Sequence, residues 1–334
     1  MKAIAITRAA TEGSNIPFLT DIELPQPVAE GHDLLVEVKA ISVNPVDTKV
    51  RAGFNADTPR VLGWDAVGVV KAVGSAVTLF AAGDEVWYAG ALGRPGSNSE
   101  FQLVDERIVA RKPRSLDNAA AALPLTAITA WELLFHRLGV EEGGNAGDTL
   151  LIVGAAGGVG SILTQLASKL TGMTVIGTAS RPESQKWVRE AGAHHVIDHS
   201  KPLAEELARI GVKAVTHVAS LTNTDQHYPQ LIAALAPQGK LALIDDPQTL
   251  DVVPLKAKSI SLHWEFMFTR SMFATPDMIA QHQLLTRVAA LIDDNTIKTT
   301  LGEHYGAITA ANLQKAHAQL ETGRSVGKIV LEGF

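Results

Sequence analysis

Four closely spaced glycines are the residues of this chain whose spacing points most directly to a chemical role. Gly154, Gly157, Gly158 and Gly160 lie between the apolar run LLIV and a segment of helical periodicity that ends near Leu170. Glycine permits a sharp turn and lets backbone N–H groups approach a phosphate with no Cβ in the way. The N-terminus of the following helix adds unpaired N–H donors and the positive end of its dipole. The pattern predicts a turn that binds a dinucleotide pyrophosphate, and a βα turn without a ligand is the alternative. The residues predicted to bind are Gly154, Ala155, Gly157, Gly158, Val159 and Gly160.

The next predicted strand, TVIGTAS, indicates which dinucleotide the turn binds, because its end reads the adenosine ribose in this type of unit. NAD-dependent proteins place a carboxylate there, whereas this chain has Ser180 followed by Arg181. A guanidinium binds a 2′-phosphate bidentately, so the pair predicts NADP(H) as the cofactor. The alternative is that Arg181 is a solvated residue before Pro182, at the first turn of the next helix.

Two further strands end in polar residues at the same predicted edge. Ser220 ends the strand AVTHVAS, and Asp245 follows the strand KLALI. In open α/β sheets, ligands bind in the crevice outside the carboxyl ends of the strands. We therefore predict that Ser220 and Asp245 contact the cofactor.

The elements that must position these residues differ between two parts of the chain. From Thr149 onward strands and helices alternate, with six strand candidates, which predicts a doubly wound parallel sheet of the Rossmann type. The first third has short β segments punctuated by proline and glycine, which favours a mostly-β domain. The closing apolar strand KIVLEGF requires a sheet to join, and the first domain is its expected host. The predicted fold class is α/β, with a Rossmann domain over 126–268 and a mostly-β domain over 1–125 that 269–334 completes.

The composition excludes several classes of function. The formal net charge of −6 across 334 residues gives no basic surface for nucleic acid or anionic membranes. The chain contains no cysteine, which excludes disulfides, a cysteine nucleophile and thiolate zinc sites. The N-terminal stretch MKAIAITRAA reads as a short strand instead of a signal peptide, and no apolar run is long enough to span a bilayer. We therefore expect a cytoplasmic protein that acts on a small molecule.

Five segments along the chain together resemble one family. They are SVNPVDTKVRAG (42–53), GWDAVGVVKAVGSAVTLFAAGDEV (63–86), AALPLTAITAWELL (121–134), GAAGGVG (154–160) and GRSVGKIVL (323–331). In order and spacing they are similar to the medium-chain dehydrogenase/reductase superfamily, in its quinone oxidoreductase-like branch and the zinc-type alcohol dehydrogenase-like group within it. The resemblance covers almost the entire chain. It implies a GroES-like first domain and an inserted Rossmann domain that binds a nicotinamide cofactor.

The residues present do not match the zinc that the family name suggests. The resemblance implies a cysteine at the position of Asn44, a histidine-glutamate pair at Trp64 and Asp65, and a third ligand near Leu125. Amide, indole and leucine side chains cannot complete the tetrahedral set of N, S or carboxylate donors that zinc prefers. We therefore predict no metal site. A site improvised from Asp65 and one of the 11 histidines is the alternative.

The loss of zinc changes the expected chemistry from alcohol oxidation to reduction of a conjugated acceptor. Zinc polarises an alcohol or carbonyl oxygen as a Lewis acid. A quinone or an α,β-unsaturated carbonyl instead delocalises the transferred charge onto an oxygen that hydrogen-bond donors can stabilise. The prediction is a zinc-independent, NADPH-dependent oxidoreductase. The alternatives are an alcohol dehydrogenase with an atypical metal site and an NADPH-binding sensor without enzymatic activity.

The resemblance also implies three catalytic residues, which are Asn44, Asp47 and Thr129. The Asn44 amide is expected to donate to the nicotinamide, its ribose or the substrate oxygen, and fixing the turn before Pro45 is the alternative. Asp47 lies in the same loop and is expected to anchor it. Thr129 is expected near the nicotinamide, with Thr126 or hydrogen bonding within the helix as the alternatives.

Two more cofactor contacts follow from the resemblance. Lys328, in the motif SVGKIVL, is expected to reach the cofactor from the returning C-terminal segment, and a surface cation is the alternative. His199, after HHVID, is expected to contact the adenosine, and a solvated loop histidine is the alternative.

The stretch HWEFMFTRSMF (263–273) is rich in aromatic residues, although the whole chain has only 5% of them. It could line a substrate pocket, pair across a dimer interface as in related oxidoreductases, or pack in the core. We expect a homodimer.

Overall fold

The computed structural model describes residues 1–7, 17–55 and 57–334. The chain divides into two compact units. Unit 1 contains Met1–Leu125 and Phe268–Phe334, and unit 2 contains Thr126–Met267. The chain passes from unit 1 to unit 2 between Leu125 and Thr126, inside the helix Pro124–Trp131.

Regular elements follow one another along both units. The strands are β1 (Lys2–Thr7), β2 (Phe18–Glu23), β3 (Asp33–Ser42), β4 (Arg60–Val61), β5 (Asp65–Val73), β6 (Glu85–Tyr88), β7 (Phe101–Asp105), β8 (Val109–Arg111), β9 (Thr149–Val153), β10 (Thr174–Thr178), β11 (His195–Ile197), β12 (Val215–Ser220), β13 (Leu235–Leu243), β14 (Ser261–Trp264), β15 (Leu301–His304) and β16 (Lys328–Glu332). The α-helices are α1 (Pro45–Ala52), α2 (Pro124–Trp131), α3 (Gly158–Leu170), α4 (Pro182–Glu190), α5 (Leu203–Arg209), α6 (Thr224–Ala234), α7 (Thr269–Phe273), α8 (Ala280–Asp293) and α9 (Ala310–Glu321). Short 3₁₀ turns cover Glu106–Ile108, Asn118–Ala122 and Val253–Lys258.

Unit 1 is mostly β. Within the described residues, one sheet has the order β15-β16-β3-β5-β6-β8 with β7 also paired to β3, and a smaller one has the order β2-β1-β4. The closing strand β16 pairs antiparallel with β3 of the larger sheet and places Val330 opposite Ser42. Ser42 also lies opposite Asp65 of β5. The end of β3 is therefore flanked by the strands that carry Asp65 and Lys328.

The N-terminal strand of this unit confirms part of a predicted element. Strand β1 covers the first residues of MKAIAITRAA, and the rest of that stretch, from Arg8, lies outside the described residues.

Unit 2 is a doubly wound parallel sheet, as predicted. Its strand order among the described residues is β11-β10-β9-β12-β13-β14, and every pairing is parallel. Sequential strands run outward from β9 in both directions, so the order reverses between β9 and β12. The carboxyl ends of these strands form the edge where such sheets bind ligands.

The apolar residues that predict β9 and α3 are buried in unit 2. Leu150, Leu151 and Ile152 of β9 are fully buried, as expected for a strand covered by helices on both faces. On α3, the predicted apolar face is buried at Ile162 and Leu166. No helix in the described part of the chain has the length and hydropathy needed to cross a lipid bilayer.

The helix predicted over TAITAWELL departs from ideal geometry. It begins as α2 at Pro124, and its continuation Glu132–Arg137 widens into a π-helical turn. Such turns are rare and occur frequently at functional sites. The widening places Glu132 and Arg137 near Glu265, at the end of β14.

Candidate cofactor and active sites

The glycine turn of unit 2 has the backbone geometry that the sequence predicts. Gly154 follows β9 with φ of 81°, in the left-handed region that favours glycine. A Cβ at Gly160 would lie 2.4 Å from the Gly154 carbonyl oxygen, so only glycine allows α3 to start this close to the strand. The N-terminus of α3 follows directly, with Gly157 as its N-cap. A phosphate group fits this cradle.

The six predicted turn residues divide by burial. Gly154, Gly157, Gly158 and Val159 are partly exposed, so they remain available to a ligand. Ala155 and Gly160 are buried, and Gly160 lies close to the backbone of Gly154 and Ala155. The Gly154 N–H donates to Thr178 Oγ1 at 3.1 Å, which ties the turn to the end of the neighbouring strand β10.

Ser180 and Arg181 lie just beyond the end of β10. Ser180 is exposed, and Arg181 is the N-cap of α4 in an extended conformation. The Arg181 Nη1 atom lies 3.2 Å from Glu183 Oε1, and about a third of the arginine side chain is exposed (36%). No carboxylate occupies the last residues of β10, Thr174–Thr178.

Ser220 and Asp245 adopt a structural role at the predicted edge. Both carboxylate oxygens of Asp245 bind Thr224, one to its N–H at 2.8 Å and the other to its hydroxyl at 2.5 Å. Ser220 is fully buried and its Oγ lies 2.7 Å from Thr224 Oγ1. Asp245 thus binds the first N–H group of α6, and the Ser220 hydroxyl contacts the Thr224 hydroxyl. The predicted contact of both residues with the cofactor stays a prediction.

A second polar cluster lies in unit 1, around the ammonium group of Lys328. Its Nζ atom donates to Val43 O at 2.7 Å, to Asn44 Oδ1 at 2.5 Å and to Asp65 Oδ2 at 3.2 Å. Three acceptors match the three N–H bonds of a protonated lysine, whereas a neutral amine has only two. The almost fully buried Lys328 thus has the three hydrogen-bond partners that its charged form needs.

Asn44 is held on both sides of its amide. Its Nδ2 group donates to Asp65 Oδ2 at 2.8 Å and to Ser42 O at 3.3 Å, while its Oδ1 accepts from Lys328. Asp65 in turn accepts the Leu125 N–H at 2.7 Å. Burial raises the pKa of Asp65 and lowers that of Lys328, and their mutual attraction opposes both shifts.

Asp47 completes this cluster from the first turn of α1. Its Oδ2 atom accepts the Asn44 backbone N–H at 2.8 Å and so caps the helix. Burial raises the pKa of Asp47 to about 7, against the opposing effects of the Asn44 N–H and of Lys328. The structure thus brings Asn44, Asp47 and Lys328 together, while Thr129 is buried on α2 in unit 2.

Comparisons with known proteins identify the family of this chain. Residues 30–114 match the alcohol dehydrogenase GroES-like domain, and residues 191–331 match the zinc-binding dehydrogenase domain. A zinc-type alcohol dehydrogenase-like protein of Staphylococcus aureus is 41% identical over 313 residues, 92% of this chain and 93% of that protein. The chain belongs to the medium-chain dehydrogenase/reductase superfamily.

Two solved structures extend the likeness to the whole fold. A protein described as a zinc-dependent alcohol dehydrogenase from Rhizobium etli has a TM-score of 0.95 and 54% identity, covering 100% of this chain and 98% of that one. The quinone oxidoreductase of Escherichia coli, solved with NADPH, has a TM-score of 0.84 and 26% identity, with full coverage of both chains. The GroES-like and Rossmann domains expected for this medium-chain dehydrogenase/reductase are therefore confirmed, and the protein is an oxidoreductase.

The zinc suggested by the family names does not fit the side chains of this medium-chain dehydrogenase/reductase. Asn44, Trp64 and Leu125 are all buried at the positions where zinc-dependent relatives are expected to have ligands, and Trp64 and Leu125 carry no metal-binding atom. Throughout the described residues, no three histidine, aspartate or glutamate side chains come together as a metal-ligand group. The acceptor atoms of Asn44 and Asp65 already bind the Lys328 ammonium group.

A third cluster of this medium-chain dehydrogenase/reductase was missed by sequence reasoning. Arg137 Nε donates to Glu265 Oε2 at 2.8 Å, and Arg137 Nη2 lies 3.7 Å from Glu132 Oε2. Both glutamates are buried. Burial raises the pKa of Glu265, and the nearby Glu132 carboxylate raises it further. The sequence signal available was an acidic residue inside each of two apolar stretches, ITAWELLF and LHWEFMF.

The aromatic stretch 263–273 takes more than one environment. Phe268 is buried and packs edge-on against Trp64, with ring centroids 6.0 Å apart, as core packing predicts. Trp264, Phe266 and Phe273 are exposed. Only part of the stretch therefore belongs to the core.

Proposed function

We propose that this protein is a zinc-independent, NADPH-dependent reductase whose acceptor is a quinone or an α,β-unsaturated carbonyl compound. The observation that supports the proposal most is the Lys328 ammonium group, which binds Asn44 and Asp65 where zinc-dependent relatives are expected to hold metal ligands. A reaction that needs no Lewis acid suits such a site. The likeness to a quinone oxidoreductase solved with NADPH supports both the cofactor and the class of acceptor.

Residues of unit 2 fit a phosphorylated dinucleotide. The glycine turn offers backbone N–H groups to the pyrophosphate, and Ser180 and Arg181 offer a hydroxyl and a positive charge to the 2′-phosphate. When bound, NADPH supplies the hydride that the acceptor takes up. His199, half-buried beyond β11, is proposed to contact the adenosine.

Asn44, Asp47 and Thr129 remain the proposed residues of the acceptor side. Asn44 would have to release its 3.3 Å contact with Ser42 O before it could donate to a substrate oxygen. Asp47 is able to hold a proton near neutral pH, because burial raises its pKa to about 7. Lys328 uses all three of its N–H bonds inside unit 1, so we assign it to positioning Asn44.

The test compares acceptors and metals on the purified full chain. We expect NADPH oxidation with quinones or enals, no loss of rate with a chelator, and substoichiometric zinc. Stoichiometric zinc together with chelator-sensitive alcohol oxidation would contradict the proposal. Tight NADPH binding with no oxidation across the panel would indicate the sensor instead.

A matched pair of amide variants tests the acceptor side. Asn44→Ala should lower kcat by about 100-fold, the usual effect of removing one donor from a site that stabilises developing charge. The control is Asn118→Ala, which removes a surface amide bound to Glu332 and should leave kcat unchanged. Equal rates for the two variants would remove Asn44 from the reaction.

We also infer a homodimer located in the cytoplasm. Strand β14 is an edge strand of its sheet, and Trp264 and Phe266 at its end are 52% and 47% exposed. Large apolar side chains on a sheet edge favour pairing with another chain. A chain without cysteine suits a reducing compartment. Sedimentation of the full chain should give twice the monomer mass, and a monomer would exclude this assembly.

A further inference from the structure

Two imidazole rings face each other near the carboxyl edge of the sheet in unit 2. His199 follows β11, and His227 lies on α6. Their ring centroids are 5.9 Å apart and the rings meet edge to face at 72°. His227 is 8% exposed, and within the described residues its Nδ1 atom has no hydrogen-bond partner. A buried, unpartnered nitrogen of this kind calls for an explanation.

His199 is connected to the glycine turn through one hydroxyl group. Thr178 Oγ1 accepts the Gly154 N–H at 3.1 Å and lies 3.1 Å from His199 Nδ1. The hydroxyl can donate to the neutral imidazole or accept from the protonated one. Thr178 therefore supports His199 in either protonation state, and the ring stays in place when it titrates.

The position of this pair matches the ribose end of a bound dinucleotide. The end of the second strand of such a unit reads the 2′-position of the adenosine ribose. Thr178 is the last residue of β10, and it lies opposite Ile197 of β11 in the sheet. His199 is two residues beyond Ile197, and Arg181 is three beyond Thr178. The imidazole and the guanidinium thus follow the ends of adjacent strands.

We propose that His227 is a positioning residue that holds the His199 imidazole at the 2′-phosphoribose end of NADP(H), so that binding of NADPH takes up a proton at this pair. The proposal rests on the NADP(H) assignment of the proposed function and adds a pH dependence to that site. It does not depend on which acceptor is reduced.

The charges around the pair favour proton uptake only when an anion is present. Burial lowers the pKa of both histidines, and the nearby His199 ring lowers the pKa of His227 further. Asp198 opposes the shift at His199. The other charged groups of the surrounding elements have partners of their own. Opposite charges lie near one another in the pairs Lys201 and Asp198, Arg209 and Glu206, and Arg181 and Glu183. Asp245 accepts the Thr224 N–H at the start of α6. A 2′-phosphate would thus be the group that stabilises an imidazolium here.

Linkage fixes the sign of the effect. A ligand that raises the pKa of His199 binds more tightly as the pH falls toward the pKa of the free protein. One linked proton changes the dissociation constant by at most about tenfold per pH unit. The 2′-phosphate itself titrates at about pH 6, and its protonation would weaken binding to Arg181. This effect makes NADPH bind more weakly as the pH falls, which is opposite to the effect of His199. NADH lacks the 2′-phosphate and serves as the internal reference.

The experiment measures the dissociation constants of NADPH and NADH for the full chain between about pH 6.5 and about pH 8, the range in which histidine titrates. Calorimetry in buffers of different ionisation enthalpy counts the protons taken up. For the wild type we expect NADPH to bind several-fold more weakly at the upper pH, with proton uptake, and NADH to show neither effect. His227→Ala removes the ring that packs edge to face against His199 and should lose most of the slope. His199→Gln should lose all of it, and His195→Gln on β11 is the matched control that should keep it.

Each outcome decides the question. A wild type whose NADPH affinity is independent of pH, or a His227→Ala variant with an unchanged slope, would overturn the inference while quinone reduction stays intact. Failure to bind NADPH at any pH would overturn it together with the proposed cofactor. Unchanged NADH affinity in the His227→Ala variant shows that the domain has folded. A retained slope without reduction of any acceptor would leave this inference standing and remove the proposed function.

Discussion

Each unit of this protein buries two carboxyl groups beside one cation, and the two clusters differ in how far the cation is exposed and in what it binds. In unit 1, Asp47 and Asp65 lie with Lys328, whose side chain is 4% exposed. In unit 2, Glu132 and Glu265 lie with Arg137, whose side chain is 31% exposed. Burial raises the pKa of Asp47 and Asp65 in unit 1 and of Glu265 in unit 2. Because each cluster has one cation for two acids, it is suited to hold one ion pair and one neutral acid.

The difference lies in what the cation binds. Lys328 reaches a backbone carbonyl and two side chains, and Asp65 and Asp47 also accept backbone N–H groups. The cluster of unit 1 therefore joins the end of β3, the start of β5, α1 and β16. Arg137 binds one buried glutamate directly and reaches solvent with the rest of its side chain. The first cluster holds four elements together inside unit 1. In the second cluster water solvates part of the cation, so loss of this cation should destabilise the protein less.

Removal of the cation should separate the two clusters most strongly. Lys328→Met leaves Asp65 as a buried unpaired charge, which costs about 3–5 kcal/mol of the free energy of unfolding. Arg137→Met is the matched comparison and should cost about 1 kcal/mol, because water already screens this partly exposed cation. Urea unfolding at neutral pH measures both.

Equal costs for the two methionine variants would show that the two clusters depend on their cations to the same extent. A low cost for Lys328→Met would mean that Asp65 takes up a proton once the ammonium group is gone. Lys328→Arg keeps the charge in a larger side chain and should lie between the wild type and Lys328→Met.

The second prediction concerns the pH dependence of stability that Asp47 confers. Its pKa is raised to about 7 in the folded protein, so between about pH 4 and about pH 7 the folded state binds more protons than the unfolded state. Stability due to Asp47 is therefore full at low pH and is lost as the pH rises, by up to about 1.4 kcal/mol per pH unit.

Asp47→Asn should flatten this profile. Thermal unfolding across the same pH range measures it, with Asp57→Asn as a control at an exposed carboxylate. An Asp47→Asn variant that loses stability relative to the wild type as the pH rises over this range would show that Asp47 is ionised in the folded state and that the cluster buries a net negative charge.

The parts of the molecule that sequence predicted are those whose causes are local. The glycine turn, the apolar run of β9 and the buried face of α3 are each fixed by a few neighbouring residues. The order of the parallel strands then follows from general rules of handedness and connection. These features needed no knowledge of distant contacts.

The two acid clusters could not be predicted, because their partners are distant in sequence. Lys328 and Asp65 are 263 residues apart, and Arg137 and Glu265 are 128 apart. Each residue alone suggests a solvated charge, and only strand pairing brings it to a buried partner. The same reason explains Asn44, whose amide resembles a free donor in sequence but is hydrogen-bonded inside unit 1.

The smallest expected effect is in unit 2, where Glu265 shares its site with Glu132. Burial and the Glu132 carboxylate hold the pKa of Glu265 above its ordinary value. At pH values above the ordinary pKa of a glutamate, the folded state binds more protons than the unfolded state. The stability of the folded protein therefore falls as the pH rises. Glu265→Gln mimics the neutral acid, so it should match the wild type near about pH 5 and exceed its stability by about 1 kcal/mol near about pH 8.

Urea unfolding at the two pH values measures this difference, and Glu132→Gln is the matched variant. With Glu132 neutral, Glu265 can ionise beside Arg137, so this variant should also lose most of the pH dependence. If Glu265→Gln is instead less stable than the wild type at the higher pH, Glu265 is ionised and bound to Arg137 in the folded protein. In that case the proton of the pair would reside on Glu132, and the two clusters would differ in which acid is neutral as well as in how the cation is held.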